Sequence, residues 1–94
     1  MTIKFISKPQ FKYIQDPGHG WIEVTKDLAH AFGFQDKITS YSFHNRDYYY
    51  LEEDLDAGLL FEALRANKTG YILKEQHSNS DSFVRSLARV GGAS

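Results

Sequence analysis

The sequence predicts an α+β fold: a small, mainly antiparallel sheet of about five to six strands with two to three short helices on one face. Three observations predict it. Apolar and polar residues alternate with period two through 11–15 and 21–24, on either side of an Asp16-Pro17-Gly18 break. Ala57, Leu60, Phe61 and Leu64 instead recur at helical spacing. The connections between successive strands are short, which favours antiparallel neighbours. Residues 1–90 are expected to form one α+β domain, with residues 91–94 as a frayed tail.

Each element has its own local reason. Residues 2–6 read as a first strand, with Ile3 and Phe5 on one face. The next strand, 11–15, sets Phe11 and Tyr13 against Lys12 and Ile14. Pro17 pre-sets φ for a β-turn, Gly18 is expected at the positive φ of a type II turn, and Asp16 caps the turn with its side chain. Strand 21–24 then puts Ile22 and Val24 on one face and Trp21 and Glu23 on the other. Thr25 is a helix N-cap, Asp27 suits the first turn, and Gly33 is the stop. Residues 37–43 and 47–53 alternate as a hairpin, with Asn45-Arg46 as its loop, where Asn45 tolerates left-handed φ. In that hairpin Tyr48 and Tyr50 share a face opposite Tyr49, and Tyr41 shares one with Phe43. Asp54 or Asp56 caps the second helix, which ends in 67–70. Residues 71–74 make a short strand. Ser80 or Asp81 caps a last helix on which Phe83, Leu87 and Val90 form one stripe.

Composition narrows the function classes. There is no cysteine among the 94 residues, which removes disulfides, thiolate nucleophiles and cysteine-ligated metals together. Small secreted domains are often disulfide-rich, so a reducing cytoplasm is the expected location. No signal peptide or membrane-length apolar run is visible. A formal net charge of −1 argues against nucleic acid as a partner and falls short of a global DNA mimic. Seven Phe, six Tyr and one Trp supply either a core built from few large residues or a binding face.

Three blocks stand in order along the chain: Asp16-Pro17-Gly18-His19-Gly20-Trp21-Ile22-Glu23-Val24, Lys37-Ile38-Thr39-Ser40-Tyr41-Ser42, and Tyr50-Leu51-Glu52-Glu53-Asp54-Leu55-Asp56-Ala57. Together they resemble a family of small proteins encoded by bacteriophages, plasmids and prophages. Its members carry a DPGHGW-type turn, a KISSYSY-like strand and a YLEED-DA stretch. The resemblance spans about residues 5–65. Thr39 stands where the pattern has Ser, and Leu55 where it has Cys. What the resemblance implies is a setting, the accessory protein of a mobile element that modulates its host. It names no reaction.

Candidate site residues follow from chemistry. His19, between two glycines at a loop tip, suits an acid, base or ligand role, or is merely exposed. Turn geometry does not require Gly20 and Trp21 after it. Glu52, Glu53, Asp54 and Asp56 cluster before a helix, where carboxylates hold a divalent cation or simply meet the helix N-terminus. Tyr41, Tyr48 and Tyr50 offer stacking surface or cross-strand packing. Lys74, His77, Arg85 and Arg89 lean basic without forming a phosphate signature. The four histidines show no zinc spacing, and no catalytic residue, metal or cofactor is assigned.

The expected binding residues are therefore His19, Gly20, Trp21, Tyr41, Tyr48, Tyr50 and Glu52. Three readings follow. The first is a non-enzymatic accessory protein that docks on a host or phage protein, such as one acting in defence. The second is a small-ligand binder, a nucleotide stacking between the His19 turn and the tyrosine hairpin. The third is a hydrolase pairing His19 with Asp16 or Glu52. Exposed aromatics and sheet edges also put a homodimer among the expected partners.

Overall fold

A computed structural model gives the fold and describes residues 8–91. The strand expected at 2–6 and the last three residues of the tail lie outside that range. Among the described residues the fold is α+β: one six-stranded sheet with two α-helices and two short 3₁₀ turns. Strands β1 (Gln10–Gln15) and β2 (Gly20–Thr25) form an antiparallel hairpin, with Tyr13 opposite Ile22 and Gln15 opposite Gly20. Strand β4 (Tyr48–Glu52) pairs antiparallel with β2, setting Glu52 opposite Trp21 and Tyr48 opposite Thr25. Strands β3 (Phe43–His44) and β6 (Ala88–Arg89) extend that side, and β5 (Ile72–His77) closes the other. The order across the sheet is β5-β1-β2-β4-β3-β6. Every pair is antiparallel except β1 with β5. That parallel strand follows a helix, and a helical crossover is what parallel pairing requires.

Helix α1 (Lys26–Phe32) begins where Thr25 Oγ1 accepts the Leu28 amide at 3.1 Å, and ends at Gly33, whose φ of 79° is left-handed. Helix α2 (Ala57–Ala66) buries Ala57, Leu60 and Leu64 along one stripe. Both helices pack on the same side of the sheet, over Phe11, Ile22, Val24 and Leu51. This cluster is wholly apolar. Burying a leucine completely contributes about 1.5–3 kcal/mol, and Leu51, Leu60 and Leu64 are all fully covered. The alternation read from β1, β2 and β4 is what sends these residues one way. It sends Ile14, Trp21 and Tyr50 the other way, where they join Phe43 and Val84 in a second cluster.

The segment after β5 differs from the helix expected there. Residues Phe83–Ser86 form a single 3₁₀ turn, and the chain then extends into β6. Val84 is the buried residue, Phe83 is 47 % exposed, and Val90 packs with the helix-side cluster, so the 83/87/90 stripe does not exist. Ser82 caps the turn in position only; its amide donates to Asp16 Oδ2 at 3.0 Å instead. A long-range carboxylate thus outcompetes the helical periodicity.

The first arm of the second hairpin is likewise shorter than 37–43. Gln35–Lys37 is a 3₁₀ turn, and strand pairing starts only at Phe43. Asp56 is the cause. Its buried carboxylate accepts Thr39 N at 3.0 Å, Thr39 Oγ1 at 2.8 Å and the Ser42 hydroxyl, which curls 39–42 into a turn. Asp56 occupies the N-cap position of α2 without a side-chain cap bond. The loop at Asn45 is held without left-handed backbone there, its Oδ1 accepting the Asp47 and Tyr48 amides at 3.0 and 2.9 Å. Gly18 has no positive φ either; a Cβ there would lie 2.7 Å from Arg85 Nη2, the movable end of that side chain.

Candidate functional site

The two faces of the sheet are closed to different degrees. The helices cover one, while the C-terminal segment covers only part of the other. Where that cover stops, a cavity of about 610 Å³ opens. Trp21 from β2 and Phe43 from β3 form its aromatic floor, their rings edge-to-face with centroids 6.1 Å apart. Tyr41 and Leu55 stand at its mouth, 63 % and 51 % exposed. Alternation along β4 turns Glu52 to the same face as Tyr48 and Tyr50, beside Trp21.

The turn preceding β2 brings His19 to the cavity. Asp16 Oδ1 accepts the amides of Gly18 and His19, both at 3.0 Å, which fixes the turn. His19 then lies 6.1 Å from the Trp21 ring, and its Nδ1 is 3.9 Å from Glu52 Oε2. That separation is an ion-pair distance when the imidazole is protonated and too long for a hydrogen bond. Gly20 is not part of the cavity lining, and its lack of a side chain leaves room for the Tyr13–Glu53 pair. A Cβ there would lie 2.6 Å from Glu53 Oε2 and 2.7 Å from the Tyr13 ring.

Asp16 does more than shape its turn. Arg85 Nε and Nη2 donate to its two carboxylate oxygens at 2.6 and 2.9 Å, and the Ser82 amide adds a third long-range bond. The Arg85 guanidinium, foremost among these donors, holds the Asp16 carboxyl well below the usual carboxylate range. The same bond raises the guanidinium further. Arg85 is thereby seated 5.3 Å over the Trp21 ring, and Arg89 sits 4.8 Å over Phe43 with Nη1 donating to Ser40 O at 3.0 Å. Both arginines line the cavity.

Of the expected binding residues, the cavity collects His19, Trp21, Tyr41 and Glu52. Tyr50 is buried instead. Its hydroxyl donates to Glu23 Oε2 at 2.9 Å, and burial followed by that bond pushes the phenol pKa up. Tyr48 packs against the same cluster, with its ring 6.3 Å from that of Tyr50. Tyr48 and Tyr50 are thus same-face neighbours along β4, packed on this cluster outside the cavity lining. The acidic cluster also separates. Glu53 accepts the Tyr13 hydroxyl, Asp56 holds the 39–42 turn, and only Glu52 and Asp54 face the cavity. Among the described residues no three His, Asp or Glu side chains converge to hold a metal ion.

Phe43, Asp54, Leu55, Arg85 and Arg89 are cavity residues that sequence reasoning did not place. Arg85 and Arg89 carried one signal, their i, i+4 spacing, but it suggested a shared helix face that does not form. Lys74 and His77, grouped with them by sequence, lie on β5 at the opposite edge of the sheet. Nothing in the local sequence announces that Asp16 would reach Arg85 across 69 positions.

Compared with known proteins, the chain matches no family model, no curated protein sequence and no solved structure. The described residues include no helix long and apolar enough to cross a membrane.

Proposed function

We propose that this protein is a non-enzymatic interaction module, an accessory protein of a phage or mobile element, that docks a host protein in the Trp21–Phe43 cleft. One observation carries the reading. Tyr41 and Leu55 stand exposed at the mouth of a cavity whose floor is aromatic and whose walls hold two arginines. Tyr, Trp and Arg around a concave, partly desolvated patch is the composition of binding hot spots. The mobile-element setting rests on the motif resemblance alone, and host defence is the kind of target that setting suggests.

The geometry favours binding over hydrolysis. Glu52, the carboxylate that does lie beside His19, is 3.9 Å from its Nδ1, too long for the hydrogen bond that would orient the ring as a base. Asp16, one of the two carboxylates expected beside His19, is committed to Arg85. Affinity capture from bacterial lysate tests the reading. A stoichiometric partner retained by the wild-type chain should be lost from both Tyr41→Ala and Leu55→Asp. A partner that both variants retain would remove the cleft from the interaction.

A nucleotide-sized ligand is the second reading, supported by the cavity volume, which lies in the range of small-molecule sites. Its check is thermal stability against a nucleotide panel. A ligand at about 100 times its Kd adds about 2.7 kcal/mol, and an unchanged melting curve at saturation would dismiss it.

A further inference from the structure

We infer that the occupant of the cleft is an acidic segment of the partner protein, whose aspartate or glutamate carboxylate sits on Arg89 along the Trp21–Phe43 floor; the inference rests on the cleft being a binding surface. Two observations carry it independently. The first is a cation without a counter-charge. Arg89 lines the cavity, and no carboxylate lies within ion-pair distance of it among the described residues. Its guanidinium is nevertheless held in place, 4.8 Å over the Phe43 ring and with Nη1 donating to the Ser40 carbonyl at 3.0 Å. A planar donor fork fixed before binding loses little freedom when a carboxylate arrives. The second is a buried donor without an acceptor. Trp21 is 2 % exposed and lines the same cavity, yet its indole N–H meets no hydrogen-bond acceptor among the described residues. Buried N–H groups are almost always paired, so an orphan in a cavity wall marks a place for an incoming acceptor.

The other charged groups of the cleft answer neither need. Arg85 is matched, its Nε and Nη2 donating to Asp16, with Asp81 3.7 Å away as well. Glu52 Oε1 accepts the Asp54 amide at 3.0 Å, and its Oε2 lies 3.9 Å from the His19 ring. Register sets Glu52 on β4 opposite Trp21 and Arg89 on β6 opposite Phe43, with β3 between those two strands. The cleft is thus negative at its His19 end and positive at its Arg89 end. That polarity chooses among anions. A chain of phosphates would carry charge toward Glu52 and Asp54, whereas one carboxylate at the Arg89 end stays clear of them. A carboxylate is also acceptor-only and matches the guanidinium fork. Exposed Tyr41 and Leu55 leave apolar surface for a neighbouring side chain of the same segment.

NMR titration of the full chain, resolving amide and side-chain N–H signals, tests the inference with four probes: the capped dipeptides acetyl-Phe-Glu-amide, acetyl-Phe-Gln-amide and acetyl-Phe-Lys-amide, and inorganic pyrophosphate. The Phe-Glu probe should shift the Arg89 Nε–H and the indole N–H of Trp21, the one tryptophan in the chain. The Phe-Gln and Phe-Lys probes should bind wild type about fivefold more weakly or worse. Arg89→Gln should abolish that preference, and Arg89→Lys, which keeps the charge, should retain part of it. Should Arg89→Gln fail to fold, the three peptides on wild type and on Arg89→Lys still decide. An unmoved indole signal, a Phe-Gln probe that binds wild type as well as Phe-Glu, a preference that survives Arg89→Gln, or pyrophosphate shifting the same signals at lower concentration than Phe-Glu overturns the inference. The cleft reading fails separately. It stands if the Phe-Gln probe moves the cleft amides as strongly as Phe-Glu. It falls if no peptide moves them and both Tyr41→Ala and Leu55→Asp retain the captured partner.

Discussion

The two faces of one sheet are built on different principles. On the helix side, Phe11, Ile22, Val24 and Leu51 meet Leu60 and Leu64 in a cluster of mainly aliphatic side chains. On the other side the cluster of Ile14, Trp21, Phe43, Tyr50 and Val84 is mostly aromatic. It is closed by hydrogen bonds as much as by apolar contact, with Asp16 drawing in Arg85 and Ser82. Apolar packing is non-directional and seals whatever it covers. Charged hydrogen bonds tie two points and leave space between them. The comparison teaches why the cleft lies where it does. The tied face stays partly open, and the groups left in the opening are the ones with unspent chemistry.

The largest effect should come from the sealed face. Leu60→Ala removes a fully buried side chain, and large-to-small core substitutions cost about 2–5 kcal/mol. Denaturant unfolding would measure it. The comparison predicts that Tyr41→Ala and Leu60→Ala act additively on stability, because they lie in separately packed regions.

Asp16→Ala comes next, at about 2–3 kcal/mol, since several donors lose one charged acceptor. It also carries a pH signature. The folded protein holds the Asp16 carboxyl well below its unfolded value, chiefly through Arg85. Its contribution is therefore complete above the unfolded value of about 3.9 and is lost as pH falls below it. The stability of wild type should fall more steeply below about pH 4 than that of Asp16→Asn. Parallel acid profiles for the two would show that the Arg85 tie contributes nothing, and the contrast between the faces would then collapse.

Tyr41→Ala should change stability by no more than about 0.5 kcal/mol, since the side chain is 63 % exposed. Its loss should appear in binding, at about 2 kcal/mol or more if the residue is a hot spot. A variant that unfolds instead would mean that Tyr41 belongs to the core and not to the mouth of the cleft.

The smallest effect concerns Tyr13. Its hydroxyl donates to Glu53, and that bond, then burial, raises the phenol to about 12. A raised value stabilises the fold below the unfolded value of about 10 and is lost as pH climbs toward the folded one. Spectrophotometric titration should find two late phenols in wild type, those of Tyr13 and Tyr50, and only one in Tyr13→Phe.

Periodicity made much of this fold readable. The two-residue alternation in β1, β2 and β4 put Phe11 and Tyr13 opposite Ile14, Ile22 and Val24 opposite Trp21, and Tyr48 and Tyr50 opposite Tyr49, as observed. Thr25 and Gly33 ended α1 as their chemistry dictates, because caps are local and need only their own neighbours. The His19-Gly20-Trp21 turn also marked one side of the cleft.

The sequence by itself could not close the other side. The parallel docking of β5 on β1, the curl that Asp56 imposes on 39–42, and the 3₁₀ turn that replaces the last helix all depend on distant partners. Gly18 and Gly20 were legible as turn residues, yet the side chains that come to lie beside them, Arg85 at one and Glu53 with Tyr13 at the other, were not. Local propensity amounts to a fraction of a kcal/mol per residue, whereas a carboxylate leaving water must find donors wherever the chain can bring them. Those long-range demands, met at Asp16 and Asp56, are what only the tertiary structure decided.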